Sequence, residues 1–253
     1  ISTTAGTSEF QIVSSTFNRY GNRVAAAMIA VNIAVFLVIS AVNLLSGYDL
    51  TRDLGLLPSG TFLLSHPWTL LTYSLTQANV LQLLFNMLWL YGFGRLLLMK
   101  YTSSILVVLY ISGAVGGALC FMIFSPLLGA NATGMLIGSS AAIIAVAVAV
   151  AITMPDTEIS LPLVGHTKIK WIVTIVVVIF CIGLSAPNAG GNLAHLGGAG
   201  AGAGIALALL RRQCPKTDGE YVDLVEKIRR TGYDALTAKE KRRFFELSSK
   251  KQS

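Results

Sequence analysis

The sequence is short of charged residues, of cysteines and of acidic side chains in its apolar stretches, and each shortage excludes a class of protein. Only 12% of the 253 residues are charged, against about 25% in a typical soluble domain, so a soluble globular protein is not expected. The three cysteines follow no spacing pattern, which predicts neither a disulfide framework nor a metal site. No pair of carboxylates lies within an apolar stretch, which argues against a proton-coupled transporter.

What the sequence has instead is 54% hydrophobic residues, gathered in six long runs. Each run approaches the roughly 20 apolar residues that an α-helix needs to cross a bilayer. The predicted spans are 24–46, 79–99, 103–125, 135–154, 170–186 and 192–210. These runs predict an all-α polytopic membrane protein with a polar N-terminal segment (1–22), a six-helix membrane domain (23–210) and a basic helical tail (211–253).

Glycines in the sixth run indicate where two helices meet. Gly198 and Gly202 form one pair separated by four positions, and Gly200 and Gly204 form a second. This spacing of small residues lets membrane helices approach closely. Because the fourth run is rich in alanine, we expect the sixth helix to pack against the fourth.

Lysine and arginine are concentrated on one side of the predicted bundle. They precede the first run, follow the second, fourth and sixth runs, and leave only Arg52 on the opposite side. The positive-inside rule then predicts that both termini are cytoplasmic. Much of the net charge of +7 lies in the tail, so we expect attraction to membrane lipid rather than to nucleic acid. Residues 1–18 contain no lysine or arginine, and no signal peptide is predicted there.

Two polar residues begin apolar runs and could form a catalytic pair. Ser140 lies in Gly138-Ser139-Ser140-Ala141 at the start of the fourth run, and His195 lies in Ala194-His195-Leu196-Gly197-Gly198 at the start of the sixth. Polar groups in a membrane helix are costly and are therefore functional candidates. With both termini cytoplasmic, both residues lie at one depth, just below the non-cytoplasmic surface. Histidine can take the proton of a serine hydroxyl, which predicts a hydrolase.

The second run supplies side-chain amides that could stabilise an oxyanion. Gln77 precedes this run, and Gln82 and Asn86 lie four residues apart, on one face of a helix. The free backbone N–H groups at the start of the fourth helix are further donors.

These motifs together resemble the rhomboid family of intramembrane serine proteases over about residues 20–210. The resemblance is carried by the serine and histidine motifs, their order in the chain, and Phe85-Asn86-Met87-Leu88-Trp89 with Gly92. It implies that Ser140 is the nucleophile and His195 the general base. It also implies an oxyanion site that includes Asn86 and the Ser140 N–H, with Gln82 and Gly138 beside it.

The resemblance further implies what surrounds the reaction. Substrates would be transmembrane proteins with small or helix-destabilising residues near the cut, and no cofactor or metal would be needed. The protein would reside in a bacterial inner membrane. The oligomeric state is left open.

Four departures from the family pattern leave a second hypothesis open. The histidine expected four residues before Asn86 is Gln82, and an upstream histidine is Gln77. The aromatic expected to stack on the catalytic histidine is Ile144, and the last glycine of the serine motif is Ala141. A pseudoprotease that binds transmembrane helices without cleaving them is therefore the alternative, and an unrelated transporter or channel is a third possibility.

Two regions outside the helices carry patterns of their own. The long segment 47–78 is expected to have internal structure and to lie partly in the outer leaflet, with Trp68 and Tyr73 at the interface. In the tail, apolar residues over 221–228 follow helical spacing. Thr237 and Glu240 have the form of a capping box that opens a second helix.

Overall fold

The structure, a computed structural model, describes residues 5–129, 134–161, 165–185, 188–213, 224, 225, 227, 228 and 233–252. In chain order its helices and strands are α1 (Ala5–Ser46), α2 (Thr51–Leu54), α3 (Gly60–Ser65), α4 (Thr69–Thr72), α5 (Val80–Leu98), α6 (Ser103–Leu128), α7 (Ser140–Thr153), β1 (Glu158–Leu161), β2 (Gly165–Lys168), α8 (Ile169–Ile182), α9 (Ala189–Gln213) and α10 (Ala238–Gln252). Short 3₁₀ turns occupy Gly183–Ser185 and Tyr233–Ala235.

Six apolar helices lie where the six runs predict them. Four of the described helices are long and apolar enough to cross a membrane: Arg23–Ser46, Val80–Leu98, Ser103–Leu128 and Ala189–Arg211. The other two, α7 and α8, are apolar but have only 14 residues each. A helix of that length extends about 21 Å, less than the roughly 30 Å of a hydrocarbon core. The architecture is that of an all-α polytopic membrane protein.

The fourth helix begins at Ser140, and the prediction that it begins at residue 135 is wrong. Leu136 forms an antiparallel backbone bridge with Leu56, through hydrogen bonds of 2.8 and 3.0 Å. Gly138 has a φ of +122°, a conformation outside the helical region that favours glycine. Its N–H donates to the carbonyl oxygen of Tyr73 at 2.9 Å. Because these contacts hold the chain out of helical geometry up to Gly138, Ser140 becomes the first residue of α7.

Helix α7 lies at the centre of the bundle. Most of its residues are buried, and nearly all of these are alanine, valine or isoleucine. Helices α5, α6 and α8 pack against it, and α1 packs against α5 and α6. The small side chains let these neighbours approach closely, which places Ser140 at one end of a tightly packed core.

Helix α9 packs against α7, as the glycine spacing predicts. A Cβ atom on Gly198 would overlap the carbonyl oxygen of Ala141, and one on Gly202 would overlap that of Ala145. Gly200 and Gly204 face open space, with no atom within 4 Å of a Cβ atom. Only the first of the two glycine pairs therefore belongs to this interface, because two positions along a helix rotate the chain by about 200°.

The segment between α1 and α5 has internal structure, as expected of a long connection. It contains α2, α3 and α4, and the Trp68 indole donates to the Asp53 carbonyl oxygen at 2.8 Å. The expectation that Tyr73 lies at an interface is wrong, since this residue is 0% exposed. Its hydroxyl donates to the carbonyl oxygen of Ala114 on α6 at 2.7 Å, which fastens the segment to the bundle.

A two-stranded hairpin that the sequence patterns do not predict joins α7 to α8. Strands β1 and β2 pair antiparallel, from Glu158 opposite Lys168 to Leu161 opposite Gly165. The carboxylate of Asp156 accepts from Lys170 at 2.9 Å and from Lys168 at 3.0 Å. These two ammonium groups hold the pKa of Asp156 below its usual range. Because Lys168 and Lys170 flank the first residue of α8, these ion pairs hold the start of that helix beside Asp156.

The chain divides into two compact units, residues 1–206 and 207–253. In the second unit Leu224 and Leu236 are buried, and Ile228 and Phe244 pack against them. The predicted capping box is present, because Glu240 N–H donates to Thr237 Oγ1 at 3.3 Å and Thr237 N–H donates to Glu240 Oε2 at 2.9 Å. Half of the predicted tail helix over 221–228 lies outside the described residues, and the described positions 224, 225, 227 and 228 are helical.

Candidate active site

Ser140 and His195 lie within hydrogen-bonding distance, although 55 positions separate them in the chain. Oγ of Ser140 is 2.7 Å from Nε2 of His195. The contact follows from the close packing of α9 on α7 at Gly198 and Ala141. Gly198 is three positions after His195, and Ala141 directly follows Ser140. The other imidazole nitrogen, Nδ1, is buried and has no hydrogen-bond partner among the described residues. The pair is thus a hydroxyl and a base that can exchange one proton.

An aromatic ring from a third helix packs on the imidazole. The centroid of the Phe180 ring on α8 lies 4.1 Å from that of His195, and the two planes form an angle of 40°. The resemblance places such an aromatic at position 144, where this chain has isoleucine. Phe180 is not among the site residues that the sequence motifs predict. The signal in the sequence is that Phe180 is the one aromatic residue in the second half of the fifth run.

Asn86 is held in place by Gln77 within a buried network of amides. Nδ2 of Asn86 donates to Oε1 of Gln77 at 2.8 Å. Nε2 of Gln77 in turn donates to Oγ of Ser139 at 3.1 Å and to Oδ1 of Asn32 at 3.4 Å. Both hydrogens of the Gln77 amide are thereby used, so Gln77 orients Asn86 rather than serving as a free donor. The second hydrogen of the Asn86 amide is left for another acceptor.

Gln82 directs its amide nitrogen towards the turn that precedes Ser140. Its Oε1 accepts from the backbone N–H of Ala78 at 2.6 Å, which leaves the NH₂ end facing the opposite way. A Cβ atom on Gly138 would lie 2.8 Å from Nε2 of Gln82 and 3.8 Å from Oγ of Ser140. The Gly138 N–H is already bonded to Tyr73, so Gly138 contributes its lack of a side chain rather than a donor.

Two cavities meet at the pair. The first, of about 350 Å³, is lined by Gln82, Asn86, Ser140 and His195, by Phe121 on α6, by residues 134–137 before α7, and by residues 188, 190 and 191 around the start of α9. The second, of about 250 Å³, lies between α5 and α8 and has mainly apolar walls, including Phe85, Trp89, Ile144 and Phe180. Asn86, Ser140 and His195 line both. Asn86, Ser140 and His195 therefore lie where the two cavities adjoin, and Gln82 lines only the first, which is the more polar.

The arrangement contains the parts that acyl transfer requires. Ser140 has a base within proton-transfer distance, and amide N–H groups lie nearby to stabilise developing negative charge. Among the described side chains, no group of three histidine, cysteine, aspartate or glutamate residues is placed to hold a metal ion.

Comparison with known proteins agrees with the motifs. The model of the Rhomboid domain matches residues 64–212, more than half of the chain and a range that includes α5 to α9. Helix α1 precedes the matched range, although the sequence resemblance extends to about residue 20. No curated protein matches the chain. Because the domain match spans the helices that bring Asn86, Ser140 and His195 together, the chain belongs to the rhomboid family of intramembrane proteases.

Proposed function

We propose that this protein is an intramembrane serine endopeptidase that cleaves transmembrane proteins with Ser140 as nucleophile and His195 as general base. The observation that carries the proposal is the 2.7 Å separation of Ser140 Oγ and His195 Nε2, at the wall shared by two cavities. A serine hydroxyl is a weak nucleophile unless a neighbouring base takes its proton.

The reaction proceeds in two halves. Ser140 Oγ attacks the scissile carbonyl carbon while its proton passes to Nε2 of His195. The tetrahedral intermediate collapses, the C–N bond breaks, and His195 returns the proton to the leaving amine. Water then attacks the carbonyl carbon of the acyl ester while His195 takes a proton from it. The ester C–O bond breaks, His195 passes that proton to Ser140 Oγ, and the carboxylic acid product leaves.

The oxyanion is stabilised by three donors. Asn86 supplies the hydrogen of its amide that Gln77 does not use, and Gln82 supplies the NH₂ end that faces Gly138. The backbone N–H of Ser140 belongs to the first turn of α7, where N–H groups have no acceptor within the helix. Gln82 replaces the histidine of the family pattern with a neutral amide donor.

The apolar cavity between α5 and α8 receives the substrate. Its wall of Phe85, Trp89, Ile144 and Phe180 suits the apolar side chains of a transmembrane segment, and it ends at Ser140 and His195. A segment with small or helix-destabilising residues near the cut can extend there and expose its backbone carbonyl. The polar cavity beside it gives water a route to the acyl ester.

The active site faces the non-cytoplasmic side of a bacterial inner membrane, with both termini in the cytoplasm. The distribution of basic residues supports this orientation. Lys100 donates to the carbonyl oxygen of Thr153 at 2.9 Å, so the basic end of α5 meets the end of α7 opposite Ser140. Lys168 and Lys170 lie at the start of α8.

The second candidate is a pseudoprotease that binds transmembrane helices without cleaving them. The favouring observations are the glutamines at positions 77 and 82 and Nδ1 of His195, for which the described part of the chain offers no hydrogen-bond partner. The ring of Phe180 weakens this candidate, because it supplies a stacking partner that position 144 lacks.

Labelling with a fluorescent fluorophosphonate tests the proposal. Detergent-solubilised wild type is compared with Ser140→Ala and His195→Ala, and with Ser112→Ala and His166→Ala as matched controls at positions remote from the pair. Labelling of wild type and controls, but of neither active-site variant, is expected. Folding of every variant is checked by circular dichroism, and cleavage by a panel of single-span reporters. Folded wild type that neither labels nor cleaves a reporter would favour the pseudoprotease.

A further inference from the structure

The position of the His195 imidazole needs an explanation beyond its bond to Ser140. A histidine base is commonly oriented by a hydrogen bond from its second nitrogen to a carboxylate or carbonyl oxygen. Here Nδ1 is buried and no acceptor for it lies among the described residues. One contact at Nε2 leaves the ring free to turn about its side-chain bonds, so the surrounding packing has to fix its plane.

We propose that Phe180 is a positioning residue that holds the His195 imidazole in line with Ser140, so that α8 rather than α7 provides the ring that orients the base. The inference rests on the proposed function, because it assigns Phe180 a part in the same reaction. The two ring centroids are 4.1 Å apart, within the range of a direct aromatic contact. Phe180 and His195 also line one apolar cavity together with Ile144.

The rest of α8 in this region faces outward. Ile179 is 56% exposed and Ile182 is 72% exposed, as expected for a helix whose outer surface meets lipid. Phe180 between them instead lines the cavity and packs on His195. Its inward placement gives α8 a contact with the base itself.

A hydrogen bond near the end of α8 keeps Phe180 over the imidazole. Nδ2 of Asn192 on α9 donates to the carbonyl oxygen of Gly183 at 2.8 Å. Gly183 is three positions after Phe180, and Asn192 is three positions before His195, so this bond lies about one turn from each ring. A Cβ atom on Gly183 would be 2.5 Å from Nδ2 of Asn192, so glycine permits the close approach. The hydrogen bond and the ring contact together join α8 to the base-bearing part of α9.

The kinetic test measures the rate constant for fluorophosphonate labelling of the full chain in detergent. Phe180→Leu keeps an apolar side chain and removes the ring, and Phe180→Tyr keeps the ring. We expect Phe180→Leu to label roughly 10- to 100-fold more slowly, since small misplacements of a catalytic group cost rates of this order. Phe180→Tyr should label faster than Phe180→Leu, and the outward-facing control Ile179→Leu should stay within about threefold of wild type. Labelling of folded Phe180→Leu at the wild-type rate would overturn the proposal.

Moving the aromatic ring from α8 to α7 distinguishes a positioning role of Phe180 from a general loss of folding. Ile144 lines the cavity that Phe180 and His195 share, so Ile144→Phe can present a ring to the imidazole from α7. The double variant Ile144→Phe/Phe180→Leu is expected to regain labelling relative to Phe180→Leu alone. A merely structural role for Phe180 predicts no recovery, and that result counts against the proposal.

A second readout does not depend on activity. In protein with isotope-labelled histidine, the ring current of Phe180 should shift the His195 ring protons, whose signals are assigned by their loss in His195→Ala. The shift should persist in Phe180→Tyr and disappear in Phe180→Leu. Wild type that shows the shift but does not label would refute the proposed protease function while supporting the placement of the ring. Wild type that labels without the shift would refute the role of Phe180 alone.

Discussion

The amide of Asn86 donates to Oε1 of Gln77 at 2.8 Å, and this contact ties the oxyanion candidate to the segment that precedes its own helix. Gln77 is 4% exposed and Asn86 is 7% exposed, so the bond is shielded from solvent. Because Gln77 also donates to Asn32 on α1 and to Ser139 beside Ser140, one side chain connects three parts of the bundle.

Gln77→Met should destabilise the protein and slow its reaction. The substitution keeps the length of the side chain but removes its hydrogen bonds, so the Asn86 amide loses its acceptor at Gln77. Asn32 keeps its hydrogen bonds with Met28 and Tyr110. An unsatisfied buried polar group costs about 1–3 kcal/mol, so a clear fall in the thermal unfolding midpoint is expected. The fluorophosphonate labelling rate should fall as well. An unchanged midpoint would show that the network contributes nothing to stability.

Asn86→Ala should lower the cleavage rate by about 100- to 1,000-fold, the usual cost of removing one oxyanion donor. Gln82→Leu removes the other side-chain donor and should also reduce the rate. Gln82→His introduces the residue of the family pattern and should cleave at least as fast as wild type. The measurement is turnover of a single-span reporter by purified protein. Equal rates for wild type and Asn86→Ala would exclude Asn86 from the oxyanion site.

Gly138→Ala should abolish most of the labelling at Ser140. The φ of +122° is strained for any residue with a side chain. The new methyl group would also lie 2.8 Å from Nε2 of Gln82, which displaces a proposed oxyanion donor. Gly134→Ala is the matched control, because a Cβ atom there meets no atom within 4 Å. If Gly138→Ala and Gly134→Ala label at the same rate, Gln82 does not pack tightly against Gly138.

Gly198→Val should disrupt the packing of α9 on α7 and separate His195 from Ser140. Its side chain would overlap the Ala141 backbone, and forcing extra volume into a packed interface costs about 1–3 kcal/mol or more. Gly200→Val, two positions along the same helix, faces open space and serves as the control. Thermal unfolding and labelling should both distinguish the two variants. If they behave alike, the interface assigned to α9 is wrong.

The tail unit should lose protection against hydrogen exchange in acid, because the Glu240 carboxylate becomes protonated there. The Lys227 ammonium and the hydrogen bonds from Thr237 lower the pKa of this carboxyl to about 2. A lowered pKa means that the stabilisation is complete above the ordinary value of about 4.3 and is lost as the pH falls towards about 2. Hydrogen exchange of tail peptides in the full chain, expressed as protection factors, measures this. Glu240→Gln should show weaker protection at pH 7 and a smaller acid dependence than wild type.

Glu246→Gln provides the comparison for that experiment. Glu246 pairs with Arg243 at 3.0 Å on an exposed surface of the same helix, where ion pairs contribute little. It should resemble wild type over the whole pH range. Equal protection factors for Glu240→Gln and Glu246→Gln at pH 7 would show that the Lys227–Glu240 contact does not stabilise the tail more than an exposed ion pair does.

Several features of the fold could be predicted because their causes are local in sequence. Apolar runs located the six helices to within a few residues at most ends, and the Thr237–Glu240 spacing predicted the capping box. The start of α7 was predicted too early because it depends on the bridge between Leu136 and the distant Leu56. The hairpin of β1 and β2 was missed because its strands have only four residues each, and because β2, unlike β1, has no apolar alternation.

The sequence by itself determined that this is a membrane protein of the rhomboid type and that Ser140, His195 and Asn86 are the residues to examine. Hydropathy and motif spacing are properties of neighbouring residues, so they can be read along the chain. The tertiary structure decided that Gly198 rather than Gly200 meets α7, that Gln77 holds Asn86, and that Phe180 packs on His195. These contacts join helices far apart in sequence, and the rotation and separation of packed helices decide which side chains meet.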